Sequence, residues 1–449
     1  MILGVVADDL TGATDAGSMS AKAGHVTHVY TASAFDGPDG AAVCVLDTDS
    51  RFDEPDVAYE KVRAATERLA AHGPRLLHKK TCSVFRGNVG AEFDAMLDAV
   101  DEAFAVVVLG FPKNGRTTVD GVHYVHGVPL EQTAFRHDPV HPMTSSRLVD
   151  VLGSQTRRAV TLLSHGVVGR GAEPLAEAIS DARGRTGYLL LDVVDQAALA
   201  TIARAIDLAG VRVLCGASGL IEELALAWGP PGAGAARRQA SSGYGEATPD
   251  EGSESLRAAA GSRVSVPGVL VVAGSLTPQT AAQVEHAREQ GLPTLELDTT
   301  SVFDEEAGRV EVEGVAAAVT AALESGSDVL VRAAAGGAQV SATQAAGRAR
   351  GLGPAATGRL VSAALAEVAA LCLSRVTPTG LVVAGGDTSA TVCARLGLDS
   401  FRVGPEVAPG VPVCESLASE GLSVVLKSGS FGAPDLLLTA AARLREGQT

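Results

Sequence analysis

The sequence predicts an α/β protein of two domains, each built on a mostly parallel sheet, with a cleft between them. Three observations carry this. Short apolar runs alternate with helical stretches from the first residues onward, the signature of parallel strands covered by helices. The alternation breaks after Trp228 and resumes at Val269. And 449 residues, 46% of them hydrophobic, exceed one ordinary domain and suffice for two cores without disulfide or metal staples.

The first element is the run Ile2-Leu3-Gly4-Val5-Val6-Ala7, read as a buried parallel strand. Asp8-Asp9-Leu10-Thr11-Gly12 follows, where a helix begins. Ligands in open α/β sheets bind just beyond the carboxyl ends of strands. A helix cap accounts for one aspartate there, not two. Further strands are predicted at Val43–Leu46, Leu76–His78, Ala105–Leu109, Val160–Leu163, Tyr188–Leu191 and Val211–Leu214, with helices such as Pro55–Ala71 and Val89–Val100 between them. From Gly229 to about Gly261 Gly, Pro, Ala and Ser dominate, a composition too poor in apolar surface for a core. The second block begins with Val269–Ala273 and includes Val329–Val331, Leu381–Ala384 and Ser423–Leu426. The resulting division is a first domain over 1–229, a linker or long loop over 230–265, and a second domain over 266–449, joined so that the cleft closes by a hinge.

Composition narrows the function. A net charge of −16 argues against an extended polyanion partner such as nucleic acid, though not against a small anion in a pocket. The six cysteines are scattered with no CxxC pair, as expected of reduced thiols. No signal peptide is evident, and no apolar stretch is read as a bilayer span, so no membrane partner is expected and a cytoplasmic location is. Self-association is left open.

Three turns in the second block follow strands directly: Gly274-Ser275-Leu276-Thr277, Gly385-Gly386-Asp387-Thr388-Ser389, and Lys427-Ser428-Gly429-Ser430-Phe431-Gly432. Glycine allows close backbone approach, and a helix N-terminus favours an anion by about 0.3–1 kcal/mol. Together the three turns suit a polyphosphate, with Lys427 as a point charge. Neither G-x-x-x-x-G-K-[ST] nor G-x-G-x-x-G between strand and helix is present, which excludes a P-loop enzyme and weakens a dinucleotide dehydrogenase. In the first block, Asp49-Ser50-Arg51 and Lys79-Lys80-Thr81-Cys82-Ser83 with Arg86 follow strands at the same predicted edge as Asp8 and Asp9. Such groups suit a small carboxylate or polyol, with a bidentate Arg as anchor. Gly115-Arg116-Thr117-Thr118 is a further candidate anion contact. His123, His126, His137 and His141 crowd one predicted loop, but prolines leave no helix to align them, so polar packing is expected and no metal site.

Read together and in order, Ala7-Asp8-Asp9-Leu10-Thr11-Gly12-Ala13, Thr48-Asp49-Ser50-Arg51, Lys79-Lys80 through Ser83 with Arg86-Gly87-Asn88, Gly274-Ser275, Gly385-Gly386-Asp387-Thr388 and Lys427 through Gly432 resemble the four-carbon acid sugar kinase family over nearly the whole chain. The resemblance implies ATP-dependent phosphorylation of a sugar-acid hydroxyl, with the acid on the first domain and ATP on the second. Carried over by motif, Asp9, Arg51 and Lys80 through Ser83 contact substrate, and Ser275, Gly385 through Thr388 and Gly429 contact ATP. Many members carry Ile-Asp-Ser-Thr-Leu where this chain has Thr81-Cys82-Ser83-Val84-Phe85, so a thiol replaces a carboxylate in the expected substrate pocket. The expected mechanism places Mg²⁺ across the β- and γ-phosphates, Lys427 and turn amides against the developing charge, Asp8 near substrate, and Asp387 or Asp9 as the proton acceptor, unranked. The rival reading is a sugar-acid sensor that closes on ligand without catalysis.

Overall fold

The computed structural model describes residues 1–138, 140–229, 266–419 and 421–447; the expected linker at 230–265 lies outside the described residues. Fifteen strands form one sheet. Its order is Thr294–Leu297, Val329–Ala333, Val269–Ala273, Gly380–Ala384, Ser423–Lys427, Val411–Ser416, Ser400–Ala408, Thr27–Thr31, Val43–Asp47, Leu3–Ala7, Leu76–Lys80, Val213–Gly216, Ala105–Val108, Tyr188–Leu191 and Val160–Leu163. Pairing is parallel throughout except around Ser400–Ala408 and Val411–Ser416. Every expected strand is present with its ends no more than two residues from those expected, as are the helices Pro55–Ala70 and Val89–Ala99.

Each half carries the mostly parallel strands and covering helices expected of it, and the two sets of strands join in one sheet. Ser400, Phe401 and Arg402 pair antiparallel with Tyr30, Val29 and His28, so the two halves share one hydrogen-bonded seam. The seam strands escaped the reading because their patterns are weak. Thr27–Thr31 carries His28, and Ser400–Ala408 carries Gly404 and Pro405 beside a register shift. The first part of the segment expected as a histidine-rich loop is instead a small antiparallel sheet of Arg116–Val119, Val122–Val125 and Val128–Pro129, with His123 on its middle strand and His137 and His141 beyond it. A second correction concerns apolar length: the helix Pro354–Leu373 is long and apolar enough to cross a membrane, but its buried residues pack within the core against the helices Glu305–Glu324 and Gly386–Leu396.

The central strands are buried on both faces because helices cover both sides. Leu3, Val5, Val6 and Ala7 are wholly buried. Each fully buried Val or Leu contributes roughly 1.5–3 kcal/mol. The helix Leu10–Lys22 is unusual in being buried nearly all round, including Thr11, Thr14, Asp15 and Ser18. It lies between the halves. Ser18 donates to Glu406 at 2.8 Å, and Lys22 pairs with the same carboxylate at 2.6 Å. A Cβ at Gly17 would lie 2.9 Å from Val403, so glycine is what admits the second half against this helix.

Candidate active site

The parallel register brings three strand ends of the first half to one level: Ala7 pairs with Asp47 on one side and Lys80 on the other. The residues just beyond therefore converge. Asp9 caps the helix Leu10–Lys22, its Oδ1 accepting from the Gly12 amide at 2.9 Å. It is also half of an ion pair. Arg51 donates from Nε and Nη2 to Asp8 at 2.9 and 2.8 Å, and from Nη1 and Nη2 to Asp9 at 2.6 and 2.8 Å. Burial alone would raise Asp8, but Arg51, helped by Lys79 and Lys80, outweighs it and holds the carboxyl down at about 2. Thr11 Oγ1 donates to the remaining side of Asp9 at 2.9 Å. The two aspartates and Arg51 thus form a closed unit, and Arg51 is not the open carboxylate anchor expected from sequence.

The other basic groups are arranged around it. Lys79 is buried against Glu92 at 3.0 Å, while Lys80 Nζ lies 3.6 Å from Asp15 Oδ2. Arg86 pairs with Asp138 at 2.7 Å and lies over the Phe135 ring. Its Nε donates to Cys82 Sγ at 3.5 Å. Burial would raise the Cys82 thiol, yet Arg86 and Arg51 prevail and draw it below its ordinary value, toward the anion. Thr81 is buried and does not line the cavity; Cys82 and Ser83 do. The histidines pack: His123 bridges Thr118 and the Ser83 carbonyl, and His141 reaches the Arg51 carbonyl.

In the second half the three glycine turns meet. Thr277 caps the helix Pro278–Glu289, and its Oγ1 donates to the Gly429 carbonyl at 2.6 Å. A Cβ on Gly274 would fall 2.1 Å from Thr388 Oγ1, and one on Gly429 would fall 2.6 Å from Ser275 Oγ. Gly385 has φ +126° and directs the chain into the helix Gly386–Leu396. Lys427 is fully buried beneath the turn, donating to Thr280 at 2.7 Å and the Gly429 carbonyl at 3.1 Å. Burial lowers its ammonium to about 7. It supports the turn from behind rather than standing at its open face.

The halves meet at the acidic motif. A Cβ on Gly386 would lie 3.4 Å from Asp9 Oδ2 and 3.6 Å from Thr11 Oγ1, so the Gly-Gly-Asp-Thr turn faces the Asp8–Asp9 motif directly. Asp387 is on the exposed side of that turn, and its carboxylate accepts no hydrogen bond among the described residues. Desolvation in the cleft raises it above the ordinary carboxylate value; Arg51 opposes this, and Asp9 and Asp49 reinforce it. Beside the motif lies a cavity open to solvent, bounded by Asp9, Arg51, Lys80 and Arg116 from the first half and Ser428 and Ser430 from the second.

Asp15 is the cavity residue that motif reading missed. Its signal was positional: it lies four residues after Thr11, one helical turn along the same face. Ser218 donates to its Oδ2 at 2.6 Å, while Oδ1 is buried without a partner. Burial raises its carboxyl to about 6 despite Lys80. A raised native pKa favours the protonated fold, so this contribution is present below about pH 4 and lost as pH rises through about 6. Asp15→Asn is expected to gain stability relative to the parent between pH 4 and 7, by on the order of 2–3 kcal/mol. Denaturant midpoints measured across that range test this; a pH-independent difference would refute it.

Two family models match the chain. Residues 3–224 match the model of a sugar-binding N-terminal domain, and residues 270–437 that of a nucleotide-binding C-terminal domain. The chain is 35% identical to a 3-oxo-tetronate kinase of Cupriavidus necator, covering 99% of this chain and 97% of that one. It is 29% identical to a D-threonate kinase of Salmonella typhimurium, with 98% of each chain covered. A crystal structure from Salmonella typhimurium LT2 is similar at TM-score 0.78 and 26% identity, covering 98% of this chain and 99% of the other. One from Haemophilus influenzae gives 0.69 and 27%, covering 98% and 100%. On these matches, which span nearly its whole length, the chain belongs to the four-carbon acid sugar kinase family.

Proposed function

We propose that the protein transfers a phosphoryl group from ATP to a hydroxyl of a four-carbon sugar acid of the threonate, erythronate or 3-oxo-tetronate type. The observation that carries this reading is the direct apposition of Gly386 and Asp9, which sets a cradle of glycine turns against a basic pocket. The acid occupies the first domain, taken as 1–229, beside Lys80, Cys82, Ser83 and Arg86. ATP occupies the second, taken as 266–449.

The residues present fit a nucleoside triphosphate. The first turn of Gly386–Leu396 leaves the amides of Gly386, Asp387 and Thr388 without intrahelical partners, a ready anion site. Gly385 and Gly429 let their turns close on Ser275, since a Cβ would fall 3.2 Å from Ser275 Cβ at the first and 2.6 Å from Ser275 Oγ at the second. Asp49, whose charge reaches the same turn, offers a hard oxygen donor of the kind Mg²⁺ takes, and Mg²⁺ held there would supply positive charge against the phosphates. Asp8 and Asp9 hold Arg51 in place. Since both oxygens of Asp9 are already occupied, Asp387 is the carboxylate that accepts the hydroxyl proton.

The reading is tested by ADP release with Mg-ATP against a panel of four-carbon aldonates and their oxo forms. Turnover with at least one is expected. Tight binding of an acid with no ADP from any would favour the sensor instead. The cradle makes its own prediction. Gly429→Ala places a methyl against Ser275, an overpacking cost of about 1–3 kcal/mol. It is expected to raise the KM for ATP by about tenfold or more while leaving affinity for the acid unchanged. Steady-state kinetics with each substrate varied separately reads both.

A further inference from the structure

We propose that Arg116 is the residue that receives the carboxylate of the four-carbon acid, an assignment that rests on the sugar-acid reading of the cavity. Four cationic side chains line that cavity: Arg51, Lys80, Arg86 and Arg116. Three of them are matched. Arg51 is taken by Asp8 and Asp9, Lys80 is near Asp15, and Arg86 is held by Asp138. Arg116 has no acidic partner among the described residues, although it is only 4% exposed.

The details of its contacts sharpen the argument. Nη1 is occupied, donating to the Asn114 carbonyl and lying 3.4 Å from His126 Nε2. Nε is buried with no partner, and Nη2 donates to nothing among the described residues. Nε and Nη2 form one edge of the guanidinium, the edge that takes a carboxylate through two parallel hydrogen bonds. Guanidinium stays charged in proteins, and an unmatched buried charge is costly. An anion in the adjoining cavity removes that cost. Cys82 and Asp15, the acidic groups whose fields reach Arg116, form no hydrogen bond or ion pair with it among the described residues.

The arm is also held ready. Arg116 opens the strand Arg116–Val119, and its backbone exchanges hydrogen bonds with Phe111 at 3.0 and 2.8 Å. Gly115, at φ +69°, precedes it, and a Cβ there would fall 2.3 Å from His126 Nδ1. Glycine therefore lets the His126 ring pack close to the base of the arm, where its Nε2 lies beside Nη1. A group fixed before binding loses little freedom when the ligand arrives.

Calorimetric titration of the whole protein, without nucleotide, tests the assignment. The probes are threonate, erythronate and 3-oxo-tetronate, each beside its uncharged primary amide. The wild type is expected to prefer at least one acid over its amide by about 100-fold, in line with a charge-assisted bidentate contact. Arg116→Ala and the bulkier Arg116→Gln are expected to weaken the acid by about 50-fold or more while changing the amide less than about threefold, with Arg116→Lys between. Two variants of different volume guard against a folding defect, which would weaken acid and amide alike. Retention of acid affinity in both, equal loss of acid and amide, or a wild type that binds none of the acids overturns the proposal. An acid that binds through Arg116 in a protein that never yields ADP would refute the kinase reading and leave this assignment standing.

Discussion

Asp387→Ala is expected to reduce turnover by about 100-fold or more, the usual scale of lost general-base help, with the fold intact. The residue is on the exposed side of a helix's first turn, so its removal exposes no core. Among the described residues its carboxylate has no hydrogen-bond partner, whereas every side of the Asp9 carboxylate is taken by Arg51, Thr11 and the Gly12 amide. The pH profile carries the sign of the same argument. A base must be deprotonated to work, and Asp387 is raised above its ordinary value by desolvation in the cleft. Turnover therefore falls on the acid side, at a pH above the ordinary carboxylate range, and that limb is absent from Asp387→Asn. Near-normal rates in either variant would remove the residue from the chemistry. ATP and acid affinities measured alongside separate a lost proton acceptor from a lost metal ligand.

Arg51→Ala has the largest expected effect on stability. Arg51 is 8% exposed, and its guanidinium compensates two carboxylates at once, one of them wholly buried. Removing one partner of a buried pair costs roughly 3–5 kcal/mol because the other charge is left without compensation. Chemical denaturation at pH 7 should register that loss. The double variant Arg51→Ala/Asp8→Asn should recover part of it, since the orphaned charge is then gone. An unchanged midpoint in the single variant would mean that the trio is solvated and contributes little. Asp8 is depressed to about 2, so the native trio keeps this contribution above about pH 4 and loses it as pH falls toward 2.

Much of this site was legible in the sequence because strands buried on both faces have strong signatures. Leu3–Ala7, Val43–Asp47, Val269–Ala273 and Gly380–Ala384 are nearly pure apolar runs, and a parallel register puts whatever follows them at one edge. That is why the aspartate pair, Arg51, Lys80 and the glycine turns could be grouped before any coordinates. Pairing was not legible. The choice of Asp138 for Arg86, or of Glu92 for Lys79, depends on segments brought together only by the fold. Hence Arg51 could be expected as an open anchor when its donors are already spoken for. Lys427 could equally be expected at the phosphate face, because nothing in a linear reading says which side of a turn a lysine occupies. The seam between halves was hidden for a different reason: the strands that form it, carrying His28, Gly404 and Pro405, lack the apolar continuity that marks the rest.

That seam limits how the molecule can admit its ligands. Two lobes joined by a tether alone could gape like a jaw, but a ladder linking Val29 with Phe401 would have to be torn for that. Torsion is cheaper: a few degrees of added coil, shared among neighbouring strands, widens one rim of the gap while the ladder survives. The molecule should therefore breathe as a wringing sheet, with the amides at Val29 and Phe401 among the last to exchange their hydrogens even while the ligand rim stays restless.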